Sequence, residues 1–172
     1  MQPRRPIASR TVIAFRSVNT PGAPGYHASL QRHHLLPRQL LSRRCFGAMF
    51  AEVGRKRVGF DDFRRNGLLL PATETTSVTT GMPLHRGPHP RYNEVVIARV
   101  GQIEARWSVS RCEDAEAAMN EALLRLHLLQ GALRRQLLGE HRRVLLNRKD
   151  PLGTGYDFSE LDAMAETLWT AQ

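Results

Sequence analysis

Apolar residues return along this chain at two different periods. Tyr92, Val96, Val100, Ile103 and Trp107 recur near the 3.6-residue spacing of a helix with one buried face. Pro90 falls in the first turn of that helix, where its missing N–H costs nothing. Leu40, Leu41, Phe46, Met49, Phe50 and Val53 keep a similar spacing and predict a helix over 39–53, stopped by Gly54. The stretch Asp114 to Leu138 is helical by composition, with Gly139 as its break. Its apolar stripe, with Leu124 and Leu128 among it, is expected to face the domain. Two shorter runs read as strands: residues 31–36, ending at Pro37, and Leu68-Leu69-Leu70-Pro71.

Between these elements the signals are those of turns and loops. Pro3, Pro6, Pro21, Gly22, Pro24 and Gly25 make residues 1–26 a flexible basic arm, in which Thr11 to Phe15 is the strand-like patch. Arg55-Lys56-Arg57 reads as an exposed basic tip and 60–65 as a short turn or helical piece. The Thr/Ser-rich residues 72–81 are expected to be loop, and Pro83 to Pro90 holds too much Gly and Pro for a helix. Past Gly139, Val144-Leu145-Leu146 resumes the apolar pattern. Ser159 with Asp162 three residues on reads as the start of a last helix through Leu168. The order is short strand, helix, short strand, loop, helix and a helical tail. It predicts an α+β fold, mostly helical, with a core at 27–107 and a helical extension at 108–172 packed on it.

With 172 residues the chain suits one domain with appendages, and 41% apolar content is enough for a core built from Leu, Val and Ala. No apolar run is long enough to span a bilayer, and the basic N-terminus lacks the apolar stretch of a secretory signal. A cytoplasmic protein, monomeric or weakly dimeric, is the expectation. Cys45 and Cys112 form no C-x-x-C pair, so two buried free thiols are expected rather than a zinc knuckle or a disulfide.

Charge changes the picture more than composition does. Residues 1–66 carry 13 Lys/Arg against 3 Asp/Glu, whereas 67–172 carry 12 against 13. The net charge of +9 therefore sits in the first part of the chain. Such a lobe favours a polyanion, nucleic acid above all, through counterion release. No aromatic platform is interleaved with the basic residues and nothing reads base edges, so weak sequence preference is expected.

The same basic part holds His33-His34. A second pair, His85 and His89, follows about fifty residues later, and Asn66 stands between them. Singly, each has an ordinary reading: a surface doublet, an Asn-Gly turn, a solvated loop histidine. Together they sit at a strand end, at the mouth of a second strand, in a loop and at a helix start, so separate elements can bring them to one point. Neighbouring residues on a strand face opposite ways, which separates the tasks of His33 and His34. Imidazole titrates near neutral pH and binds divalent metals, so one ring can accept a proton while others hold a cation. His127 and His141 read as boundary positions on helices.

The segments QRHHLLPRQL, FDDFRRNGLLLP and LHRGPHPRYNEVV resemble the AHH family of the HNH and endonuclease-VII-like superfamily. These are histidine-metal finger nucleases with a ββα core, found as bacterial toxin modules and as free-standing proteins. The resemblance covers about residues 27–107, with Arg32 in place of the alanine that names the family. It implies a divalent-metal-dependent endonuclease acting on DNA, with RNA as the other substrate it allows. The cofactor would be Mg, Mn, Ni or Zn. His34 would be the general base and Asn66 the residue whose amide pins the base-bearing loop. His33, His85 and His89 would be metal ligands. Arg32 and Arg38, beside the doublet, suit a phosphate clamp on nucleic acid. In a toxin setting the resemblance also brings in an inhibitor (immunity) protein and delivery to a target cell. Two other readings remain open on sequence: a non-catalytic nucleic-acid-binding module with a structural or vestigial metal site, and a helical interaction domain built on Leu123 to Leu138.

Overall fold

The computed structural model describes residues 11–139, 146–147, 149–152 and 163. The helix expected from Ser159 and the position of His141 lie outside the described residues, as do Val144 and Leu145. Among the described residues the fold is mixed: helices around one small antiparallel sheet. Strand β1 (Leu30–His34) pairs with β2 (Gly67–Pro71), with Leu30 opposite Pro71, His33 opposite Leu68 and His34 opposite Gly67. Leu35 N–H then donates to the Asn66 carbonyl at 2.8 Å, one step beyond the ladder.

The connection from β1 to β2 holds two 3₁₀ turns (Arg38–Ser42 and Arg44–Phe46) and three short helices: α1 (Gly47–Val53), α2 (Arg55–Val58) and α3 (Phe63–Asn66). The single helix expected over 39–53 is therefore broken. Arg43 is extended there (φ −81°, ψ 119°). In a continuous helix Leu40 would point well away from the face shared by Phe46, Met49, Phe50 and Val53. The break turns it back, and all five are buried. Gly54 ends α1 at φ 86°, as a glycine stop should.

Residues 72–81, expected as loop, contain helix α4 (Glu74–Thr80). The Thr73 hydroxyl caps it by accepting from Thr76 N–H, and Gly81 closes it in the left-handed region at φ 68°. The hydroxyls of Thr79 and Thr80 return to the carbonyls of Thr75 and Thr76. A Thr-rich stretch thus satisfies its polar groups inside the helix despite a poor intrinsic propensity.

Two long helices follow. Helix α5 (Pro90–Ser110) buries Tyr92, Val96, Val100, Ile103 and Trp107, the five positions that its period singled out. Helix α6 (Ala115–Leu138) starts on Asp114, whose carboxylate accepts from Ala117 N–H, and ends at Gly139. It packs against α5, α1 and α2. Its buried face is not the expected one. Leu124 and Leu128 are 57% and 38% exposed, while Ala118, Ala122, Leu126, Leu133 and Leu137 are buried. Apolar residues lie on every side of α6, so the neighbours and not the period select the face. The two cysteines are also corrected, since both are exposed and free. Phe46 takes the buried place beside Cys45, and Cys112 lies in the turn between the long helices. Among the described residues no helix is long and apolar enough to cross a membrane.

Residues 11–26 of the expected arm are in contact with this framework. Ile13 N–H donates to the Asp62 carboxylate at 3.2 Å, and its carbonyl accepts from Phe63 N–H at 2.7 Å. Asn19 donates from its amide to the carbonyls of His27 and Leu30.

Candidate metal centre and its surroundings

His33, at the end of β1, is 1% exposed. Its ring meets those of His85 at 4.8 Å, His89 at 5.0 Å and Tyr92 at 4.9 Å between centroids. His85 and His89 stand 4.9 Å apart. One ring nitrogen from each of the three histidines lies within 4.8 Å of the others.

Each ring arrives by a different route. His33 is fixed by the β1–β2 register. His89 is the residue before Pro90 and caps α5. His85 comes from the loop after α4, where its N–H donates to the Pro71 carbonyl at 2.7 Å and so continues the line of β2. Tyr92, one turn into α5, is fully buried and donates from its hydroxyl to the Leu35 carbonyl at 2.8 Å. That bond ties the helix carrying His89 to the strand exit carrying His33. Burial raises the Tyr92 pKa, so the phenol stays protonated.

Several polar atoms of the cluster have no partner among the described residues. Both ring nitrogens of His33, and Nδ1 of His85, are buried with no hydrogen-bond partner. Burial, then the neighbouring imidazoles, pushes the His33 pKa well below its usual value. Burial and His89 bring His85 down to about 4, and burial lowers His89 as well. Neutral imidazole is the form that donates an electron pair to a metal. Three neutral rings with converging nitrogens, unpartnered on His33 and at Nδ1 of His85, fit a divalent cation of the zinc or first-row transition type.

His34 stands outside this cluster. Its ring lies flat against Phe15, 3.8 Å between centroids and 2° between planes, and Phe15 packs edge-on against Phe63 at 5.1 Å. Phe63 in turn fills the space over Gly67, the residue paired with His34. A Cβ built at Gly67 would come within 2.3 Å of the Phe63 ring. Burial, opposed in part by Asp61 and aided by the charges of Arg38 and Arg32, lowers the His34 pKa to about 4. Arg32 and Arg38 are both exposed, and Arg32 donates to the Phe15 carbonyl at 2.8 Å.

Asn66 is fully buried behind the doublet. Its side-chain oxygen accepts from Leu36 N–H at 2.7 Å and its amide donates to the carbonyls of Leu36 and Phe60. Gln130 of α6 also donates to that oxygen, at 3.3 Å. The chain leaving His33-His34 is therefore held by one satisfied amide.

The structure thus brings His33, His85 and His89 together, sets Asn66 under the doublet and leaves His34 beside the cluster with Arg32 and Arg38. Sequence reasoning missed Phe15 and Tyr92 as supports. The Tyr92 position was legible as part of the buried stripe of α5, whereas nothing in the spacing of Phe15 announces a stack on His34. His127 is half-buried, as a boundary residue should be. Its ring meets the Arg57 carbonyl and the Arg65 guanidinium, away from the cluster.

No curated protein and no solved structure matches the chain. One protein family does: AHH, a nuclease family of the HNH/ENDO VII superfamily with conserved AHH, over residues 14–130. The match takes in Phe15, the doublet, Asn66, both later histidines and most of α6, and on that extent the chain belongs to the AHH nuclease family.

Proposed function

We propose that this chain is a divalent-metal-dependent endonuclease that hydrolyses the phosphodiester bonds of DNA with little sequence preference. On this reading β1, β2 and α5 make up the ββα core, and His33, His85 and His89 hold the cation. The observation that carries it is the convergence of one ring nitrogen from each of three histidines, with His33 and His85 holding unpartnered nitrogens, beside a fourth histidine, His34. Three protein ligands leave positions for water and phosphate, which favours catalysis over a closed structural site.

When bound, the cation would neutralise charge growing on the phosphate and stabilise the leaving 3′ oxygen. The protein's own groups do the rest. His34 is neutral at pH 7 and can take a proton from the attacking water. Phe15 fixes the plane of its ring, and Asn66 fixes the backbone that follows it. Arg32 and Arg38, both exposed beside the doublet, would hold the flanking phosphates and set the strand in register. On this reading binding rests on the nucleic-acid backbone, and little sequence preference is expected.

Supercoiled plasmid incubated with the protein and Mg²⁺, Mn²⁺, Ni²⁺ or Zn²⁺, beside an EDTA control, tests the reading. Cleavage is expected with metal and none with EDTA, and an RNA arm tests the preference for DNA. His34→Ala should lower the rate by about 10² to 10⁴ and leave metal binding intact, because a general base acts on the barrier. His89→Ala should weaken metal binding instead, as calorimetric titration would show. If His34→Ala cleaves like the wild type, the base is another group. If the wild type cuts neither DNA nor RNA with any of the four metals, the endonuclease reading fails.

A further inference from the structure

Three consecutive residues around His85 are each pinned through the backbone. His85 N–H is held by the Pro71 carbonyl of β2. The other two anchors are Asp150 and Asn147, beyond the part of the chain that the family matches. On one side of His85, Leu84 N–H donates to Asp150 Oδ2 at 2.8 Å. On the other, the Asn147 amide donates to the Arg86 carbonyl.

Asp150 and Asn147 are themselves built in. Asp150 is 9% exposed, and its Oδ1 accepts from Leu152 N–H at 3.0 Å and lies 3.4 Å from the Ser77 hydroxyl. Asn147 Oδ1 accepts from Lys149 N–H at 2.9 Å, and Asp150 N–H donates to the Asn147 carbonyl. Leu146, just before them, is buried in the main core. Both carboxylate oxygens of Asp150 serve as acceptors for backbone N–H groups. An amide has one acceptor oxygen and would set its own N–H against one of those donors.

We propose that Asp150 and Asn147 are positioning residues for His85, so that two side chains from beyond the family match complete the metal centre. This rests on His85 being a metal ligand. The loop that carries His85 lies between Gly81 and Pro88 and has no regular structure of its own. Left with its bond to Pro71 and the Ser77 hydroxyl on the Met82 carbonyl, that loop is free to swing the imidazole off the point where His33 and His89 meet. Partners that orient a ligand without touching the ion commonly change metal affinity by about ten- to a hundredfold.

The test compares Asp150→Asn, His85→Ala and the double variant in the full chain, with two readouts. The first needs no metal: amide hydrogen exchange across 82–89 in EDTA, with the β1–β2 ladder as internal reference. Faster exchange in Asp150→Asn confined to 82–89 is expected. The second is calorimetric titration with Zn²⁺. Asp150→Asn should weaken binding by about ten- to a hundredfold, and the double variant should bind no more weakly than His85→Ala. Unchanged exchange at 82–89 overturns the proposal, and so do affinity losses that simply add, since a general loss of fold would add. If the wild type takes up no Zn²⁺, the metal-ligand reading is what has failed, and the exchange arm still decides whether Asp150 orders the loop. Asn147→Ala, at a half-buried position, carries the same two readouts if Asp150→Asn does not fold.

Discussion

His34 has a low pKa, a stacked ring and two arginines for neighbours, and each of these bears on what it can do. A ring fixed on one face by Phe15 presents its nitrogens along one direction. Phe15→Ala removes that support without touching the three-histidine cluster. The turnover rate is expected to fall by about ten- to a hundredfold, because misplacing a reacting group by about 1 Å has an effect of that order. Zn²⁺ affinity should stay at the wild-type value. Parallel turnover and titration measurements check this, and a loss of affinity instead of rate would move Phe15 into support of the metal centre. At this scale the sequence was informative where chemistry is borne by rare residue types. Four histidines and one asparagine stood out by order and spacing. Phe15, Tyr92 and Asp150 did not, because an aromatic ring or a carboxylate that supports a neighbour looks like any other in the chain. Asp150 could be noticed only as an acid with no evident pairing to the histidines.

Among the elements, α5 and α6 make an instructive pair. In α5 Tyr92, Val96, Val100, Ile103 and Trp107 recur at helix spacing on one stripe and all are buried, so the period names the buried face although Val109 lies outside it, exposed. In α6 leucines occur all round and the buried face includes Arg125, Gln130 and Gln136. Arg125 is neutralised by Glu121 at 2.7 Å, and Gln130 is spent on Val58 and Asn66. Polar residues with dedicated partners can thus occupy a face that a hydrophobicity pattern would assign to solvent. The consequence for stability is specific. Leu126→Ala should cost about 2–5 kcal/mol as a buried truncation. Leu124→Ala, on the exposed side, should stay within about 0.5 kcal/mol. Urea unfolding of the two variants separates them, and equal losses would mean that the exposed side of α6 is covered in solution. Helix α4 was illegible for the opposite reason: its threonines have poor propensity, and caps and side-chain returns that no period reveals hold it together.

Across the whole molecule, burial of imidazoles dominates the response to acid. His33, His34, His85, His89 and His127 all have folded-state pKa values below their ordinary 6.5. In the unfolded chain they titrate near 6.5, so between that pH and about 4 the unfolded state binds more protons. Stability is therefore full above about pH 6.5 and lost as the pH falls through this window. Glu121, whose two arginine partners outweigh its burial, is lowered from 4.5 and titrates below most of it. In EDTA the urea midpoint should decline steadily from about pH 7 to about pH 4.5, before the carboxylates protonate. A flat profile over that range would contradict the buried neutral histidines. The charge asymmetry was legible from the sequence at this scale. The grip of Asn147 and Asp150 on the His85 loop was not, because it joins points about sixty residues apart and its targets, Leu84 N–H and the Arg86 carbonyl, are backbone atoms that every residue possesses.

The column formed by His34, Phe15, Phe63 and Gly67 also constrains how the protein can vary. Gly67 is extended (φ −118°, ψ 150°), a conformation open to any residue, so its small size answers to the ring above it and not to the backbone. Positions 63 and 67 therefore share one volume. A larger residue at 67 is admissible only with a smaller one at 63, and a smaller one at 63 withdraws support from Phe15. Divergent copies of this gene would have to change these sites in concert, and the ring at 15 with them, although none of the three carries the chemistry.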